Sequence, residues 1–146
     1  MKVREIMTAS PATCSPESTA EQAAQLMEQH DCGALPIVEG PSRHLVGLVT
    51  DRDLVIRGLA QGKGSSTPVR ELMSPSPTTV QENDDVEVVE RLMATQQIRR
   101  VPVIDASGHP VGLVAQADLA RARRVSSKEL GKVVESISQP AELVHR

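Results

Sequence analysis

The sequence repeats itself. "VREIMTASPAT" from Val3 returns as "VRELMSPSPTT" from Val69, an offset of 66 residues. The same offset pairs Glu21 with Glu87, Leu26 and Met27 with Leu92 and Met93, and Pro36 with Pro102. It then falls to 65, pairing "HLVGLV" (44–49) with "HPVGLV" (109–114) and Asp53 with Asp118. A single residue gained or lost between Glu39 and His44 is what a hairpin loop tolerates. One copy of about 60 residues can bury only a modest core, so a duplicated unit of this size is expected to use its twin as the other half.

Each copy can be read locally. After an opening turn and a short strand around "ATC" or "TTV", Ser18 with Glu21, and Asp84 with Glu87, are placed as helix starts of capping-box type. Ala20, Ala23, Leu26 and Met27, matched by Val86, Val89, Leu92 and Met93, form one apolar face at helical spacing, which makes those methionines core. "ALPIV" and "RVPVI" lead through the turn residues "EGPSRH" and "DASGH" into "LVGLV" and "PVGLV", two short strands in a hairpin. A second helix follows, over about 51–61 and about 116–124. The expected order per copy is strand, helix, strand, strand, helix, an α/β (α+β) arrangement. Because the strands show little polar alternation, each small sheet is expected to place one face on its helices and the other against its twin, giving a pseudo-twofold module. The domain reading is 1–61, a linker at 62–68 ("GKGSSTP"), 69–124, and a tail at 125–146. In the tail, Ser126 with Glu129 starts an amphipathic helix bearing Leu130, Val133, Val134 and Ile137 and ending before Pro140, either to pack on its own module or to contact a second subunit.

Composition narrows the function classes. A net charge of -3 argues against a general nucleic-acid binder, which draws affinity from clustered positive charge. The chain has no Phe, Tyr or Trp, so it lacks the platforms on which exposed bases usually stack. No apolar run approaches the roughly 18 residues of a membrane span, and no signal peptide is visible, so a cytoplasmic address is expected. No His or Cys spacing resembles a zinc site, and no metal is expected.

The stretch "GLVTDRDL" (47–54) carries the most chemistry. General acid-base catalysis needs a partner at a defined separation, and the local sequence identifies none for Asp51 or Asp53. A divalent ion would need more oxygen ligands than this segment offers. Two readings remain. Thr50 is an N-cap with acidic residues in the first turn, facing the positive end of the helix dipole. Compatible with that, an ionised carboxylate can accept both hydroxyls of a ribose. The second copy, "GLVAQADL", keeps Asp118 but has Ala115 in place of the threonine.

A duplicated unit with "VREIM", "ALPIV" or "RVPVI" and an ending "GLVTDRDL" resembles the CBS domain, and the resemblance covers residues 1 to about 124. With "HDCGALPI", "TDRDLVI" and "IRRVPVI", the chain is also similar to the stand-alone hypoxic response protein type. The resemblance implies a Bateman module: two domains sheet to sheet, two clefts, dimerisation into a disc, and sensing of AMP, ADP, ATP or S-adenosylmethionine. It implies a ribose contact for Asp53 and a place near ribose and phosphate for Thr50. It also implies that basic residues opening the second strand serve the cleft read by the other domain, so Arg99 and Arg100 would bind phosphate beside Thr50 and Asp53. Otherwise they are solvated charges or salt-bridge partners. The second, poorer cleft would hold Asp118 with Gly33 and Ala34. By family analogy the adenine wall comes from residues around Pro11 to Cys14 and Leu35 to Ile37, among them Thr13, Cys14, Leu35 and Ile37.

The functional expectation is a non-enzymatic, homodimeric sensor of an adenosyl ligand, requiring no cofactor and acting on an unidentified protein partner or on its own assembly. The alternative is a ligand-independent dimeric scaffold with vestigial clefts. Cys14 and Cys32 align with Val80 and Ile98, so they are read as small hydrophobes, with a redox-linked bridge between them left open. His44 and His109 recur at equivalent hairpin positions, which suggests a turn preference.

Overall fold

The computed structural model describes residues 1–126, with side chains through residue 124. The tail helix expected from Ser126 onward, with its two possible roles, lies outside the described residues. The strands are β1 (Thr8–Ala9), β2 (Ala34–Glu39), β3 (His44–Thr50), β4 (Ser74–Pro75), β5 (Val80–Gln81), β6 (Arg100–Ile104) and β7 (Pro110–Ala115). The helices are α1 (Ala20–His30), α2 (Asp51–Asp53), α3 (Val86–Gln96) and α4 (Gln116–Ser126). The expected mixed α/β order is present in both copies. No helix among the described residues is long and apolar enough to cross a membrane.

Two sheets form, one of order β1-β7-β6-β5 and one of order β2-β3-β4. In the second, β2 and β3 are antiparallel from Ala34 opposite Thr50 to Glu39 opposite His44. The strand expected around "ATC" is a single parallel bridge between Cys14 and Ile37.

The chain divides into two compact units, and their boundaries differ from those of the repeat. One unit joins Met1–Ala9 to Thr79–Val103 and the segment from Gly112; the other joins Ser10–Thr78 to Ile104–Val111. The opening segment of each copy pairs with the last strand of the other. Thr8 and Ala9 oppose Leu113 and Gly112, and Ser74 and Pro75 oppose Leu48 and Gly47. The glycine of each "VGLV" makes this possible. A Cβ at Gly112 would overlap the Met7 side chain, and one at Gly47 would overlap Met73 and lie 3.1 Å from the Ser74 carbonyl. These glycines serve a close approach.

In the unit centred on α1, the core gathers Cys14, Ala23, Met27, Leu35, Ile37, Val49, Val69 and Leu72. In the other unit Val3, Val80, Val86, Val89, Met93, Val101 and Val114 are buried. The expected apolar helix faces thus supply core residues in both copies, with burial of a large aliphatic side chain contributing roughly 1.5–3 kcal/mol.

The helix starts fall one residue later than the repeat suggested. Thr19, not Ser18, caps α1: its hydroxyl accepts from the Gln22 N–H at 3.1 Å and Gln22 Oε1 accepts from the Thr19 N–H at 2.9 Å. Ser18 instead turns back, its hydroxyl accepting from the Ser15 N–H at 3.1 Å. Asp85 caps α3 without a side-chain bond to the helix, while Asp84 accepts from the Gln81 N–H at 2.8 Å. A run of several capping-type residues leaves the choice to the chain's entry angle. The 62–68 segment supplies further caps, for the Thr67 and Ser65 carbonyls accept from the Ala20 and Glu21 N–H groups at 2.8 and 3.0 Å.

The second helix of the first copy is not uniform. One α turn, Asp51–Asp53, passes into a π-helical stretch at Leu54–Gly58 and a 3-10 turn at Leu59–Gln61. Its counterpart α4 is regular, and α4 extends two residues past the expected end.

Candidate ligand site

β3 delivers Thr50 to the start of α2, and the local chemistry there is a reciprocal cap. Thr50 Oγ1 accepts from the Asp53 N–H at 3.1 Å, and Asp53 Oδ2 accepts from the Thr50 N–H at 2.9 Å. The Asp53 side chain is only 15% exposed, and its other oxygen, Oδ1, lies 3.7 Å from Arg57 Nε. Arg57 in turn donates to the Met73 carbonyl at 3.1 Å and the Leu72 carbonyl at 3.4 Å. One carboxylate oxygen is therefore committed to the helix, whereas the other faces a half-exposed guanidinium beyond hydrogen-bond distance. Asp51 has a local role, accepting from the Arg52 N–H at 2.8 Å.

The second copy is built on the same backbone plan with less chemistry. Asp118 Oδ2 accepts from the Ala115 N–H at 2.7 Å, but Ala115 offers no oxygen in return. Asp118 is buried, and its Oδ1 is held by Arg121. Both acceptor oxygens of Asp118 are thus occupied within its own helix start, whereas among the described residues only one of Asp53 is directly hydrogen-bonded.

The residues expected to open each cleft lie beside these helix starts. The Gly33 carbonyl accepts from the Asp51 N–H at 2.9 Å, and at the equivalent place the Arg99 carbonyl accepts from the Gln116 N–H at 2.9 Å. Ala34 is buried opposite Thr50. Thr50, Asp53, Gly33 and Ala34 belong to one compact unit and Asp118, Arg99 and Arg100 to the other. Each expected ligand set therefore draws members from both units.

The four expected adenine-wall residues separate. Leu35 and Ile37 are fully buried in the core. Thr13 and Cys14 line a cavity of about 360 Å³ with Ser15, Val38, Gly40 and Arg43. Burial pushes the Cys14 thiol up to about 11, against a smaller opposing effect of its hydrogen bond with Ser18. No disulfide links Cys14 and Cys32. Among the described residues, no three His, Cys, Asp or Glu side chains gather as a metal site would need.

Sequence reasoning missed Arg57 and Arg121. Both were legible as helical neighbours, four residues after Asp53 and three after Asp118.

The family model of the CBS domain matches residues 3–58 and 69–125. Among curated proteins, the CBS domain-containing protein YhcV of Bacillus subtilis is 42% identical over 93% of this chain and 94% of its own length. Hypoxic response protein 1 of Mycobacterium tuberculosis is 42% identical over 81% of this chain and 82% of its own. Among solved structures, the CBS domain pair of protein MJ0100, in complex with 5'-methylthioadenosine and S-adenosyl-L-methionine, superposes with a TM-score of 0.78 at 28% identity. It covers 87% of this chain and 98% of that one. CBSX2 in complex with AMP gives 0.75 at 26% identity over 87% and 99%. The repeat, the strand and helix order within each copy and these matches agree: the chain belongs to the CBS domain family and carries two CBS domains in tandem.

Proposed function

We propose that the chain is a non-enzymatic cytoplasmic sensor that binds an adenosyl ligand, such as AMP, ADP, ATP or S-adenosylmethionine. Binding alters a protein partner or the assembly of a homodimer. The observation that carries this reading is Asp53: its carboxylate is fixed by the reciprocal bond with Thr50, yet has one oxygen that no hydrogen bond among the described residues occupies. A ribose diol needs such a prepositioned acceptor. The CBS pairs of MJ0100 and CBSX2, crystallised with adenosyl compounds, support the ligand class. Thr50 and Asp53 read the sugar, and Arg99 and Arg100 bind the phosphates, where a guanidinium gives bidentate contact. Asp118 with Gly33 and Ala34 forms the weaker site, consistent with the engagement of both Asp118 oxygens by its own helix start. Thr13 and Cys14 supply part of the adenine wall. With no aromatic side chain to stack on, affinity in the micromolar range, near ~8 kcal/mol, is expected.

The test is thermal stabilisation by AMP, ADP, ATP, S-adenosylmethionine and NAD, followed with an external dye because the chain has no Trp or Tyr. A ligand at 100 times its dissociation constant adds about 2.7 kcal/mol. The shift should vanish in Asp53→Asn, which keeps an acceptor for the Thr50 N–H, and in Arg100→Ala, and should persist in Asp118→Asn. Loss in Asp118→Asn and Arg100→Ala with retention in Asp53→Asn would reassign the arginines to the second site. No shift with any adenosyl compound, confirmed by calorimetry, would support the ligand-independent scaffold, which the exposed apolar side chains Val55, Ile56 and Leu59 also favour.

A further inference from the structure

A second cavity, of about 210 Å³, lies at the hairpin end of β3, lined by Ser10, Thr13, Arg43 and His109 among others. Thr50 stands at the opposite end of that seven-residue strand, some ~20 Å away along the backbone. The cavity is therefore separate from the proposed ribose residues, and it shares Thr13 with the proposed adenine wall. All its lining residues belong to one compact unit.

Arg43 is the unusual member. It closes a turn, its N–H donating to the Gly40 carbonyl at 3.0 Å, with φ of +51°, in the left-handed region that most side chains avoid. The repeat supplies a comparison, because at the 65-residue offset its twin is Gly108, with φ of +87°. Glycine adopts such a conformation without strain, so the first copy keeps a long cationic side chain where the backbone favours none.

That side chain is held in place. Its Nη2 donates to Thr13 Oγ1 at 3.0 Å, and its carbonyl accepts from His109 Nδ1 at 3.1 Å. The carbonyl can only accept, so Nδ1 carries the proton and Nε2 is the other ring nitrogen. Arg70 pairs with both nearby carboxylates, Glu17 and Glu39, the latter at 3.6 Å. Among the described residues no ion pair forms at Arg43 itself.

We propose that this cavity is a binding site for a small tetrahedral oxyanion of the phosphate or sulfate type. Arg43 supplies the charge, and the hydroxyls of Ser10 and Thr13 supply further hydrogen bonds. The guanidinium has five N–H donors in a planar fork, and Thr13 takes one, leaving a pair for bidentate contact. The volume equals about seven waters at ~30 Å³ each, room for a free phosphate but not for a nucleotide.

The test is a titration of the full chain with potassium phosphate, and separately with sulfate and glycerol phosphate, at constant ionic strength set with potassium chloride, followed by backbone amide NMR. Saturable shifts at Ser10, Thr13, Arg43 and His109 are expected with phosphate and sulfate. They should be much weaker with glycerol phosphate, reduced in Arg43→Lys and lost in Arg43→Gly. Because glycine suits the turn, Arg43→Gly should melt no lower than the native chain, so loss of binding cannot be put down to unfolding. Asp53→Asn should leave the titration unchanged, which separates this site from the adenosyl reading. Non-saturating shifts equal to those with chloride, or binding retained in Arg43→Gly, would overturn the proposal.

Discussion

Thr50 and Ala115 occupy the same position in the two copies, and their difference can be measured. Thr50→Ala removes the acceptor for the Asp53 N–H and should lower stability by about 1 kcal/mol. Ala115→Thr should raise it by up to about the same amount, because Asp118 already accepts from the Ala115 N–H and only the reciprocal bond is missing. Denaturant midpoints at unchanged slope would check both. Cys14 gives a second residue-scale expectation. Its thiol is raised to about 11 from an ordinary value of 9.0, so the native state holds the proton more tightly than the unfolded chain. Stability from this group is present below pH 9 and is lost as pH rises through 9 to 11. Unfolding curves across that window should be steeper in pH for the native chain than for Cys14→Val, which installs the residue of the second copy. If the two slopes match, the buried thiol is not the cause. The role of Cys14 as a small hydrophobe was legible because its twin is Val80. The engagement of Asp118 by Arg121 was legible only as an i,i+3 helical spacing, which does not say which carboxylate oxygen the guanidinium meets.

At the scale of elements, the order of strands and helices was legible from the repeat, since two copies of each apolar pattern reduce the ambiguity of either alone. The exchange of opening segments was not. "VREIM" and "VRELM" announce two equal copies, and nothing local says that the short strand after each pairs with the last strand of the other copy. The signal lay in the glycines of "VGLV", whose small size is required by Met73 against Gly47 and Met7 against Gly112. Gly47→Val should therefore destabilise by about 1–3 kcal/mol through overpacking against Met73 and the Ser74 carbonyl. Shortening the obstructing side chain in Gly47→Val with Met73→Ala should recover part of that loss beyond the sum of the single changes. Strict additivity in chemical denaturation would mean that the two side chains do not compete for the same space.

For the whole molecule, the segment Leu54–Gln61 carries an expectation about assembly. Val55 is 52% exposed, Ile56 44% and Leu59 74%, and with Met1 these are the large hydrophobic side chains exposed among the described residues. Three of them within five positions form a local apolar patch, and solvent-facing patches of this kind mark contact surfaces. The π-helical turn contributes, because it widens the helix where Val55 and Ile56 emerge. In a homodimer with twofold symmetry each residue is buried twice, so a few side chains have a doubled effect on association. Given the proposed homodimer, Ile56→Glu with Leu59→Glu is expected to shift the chain from dimer to monomer in sedimentation velocity while leaving its helical content intact. The same variant bears on the sensor, since a ligand changes assembly only if it binds the associated and dissociated states unequally. If an adenosyl ligand acts through assembly, the native chain should change its dimer dissociation constant when the ligand is present. By linkage, with one ligand per subunit, the monomeric variant should then bind the ligand with an affinity altered by the square root of that factor. A native chain that sediments as a monomer at tens of micromolar, with or without ligand, would remove self-assembly as the output and leave the patch to another protein.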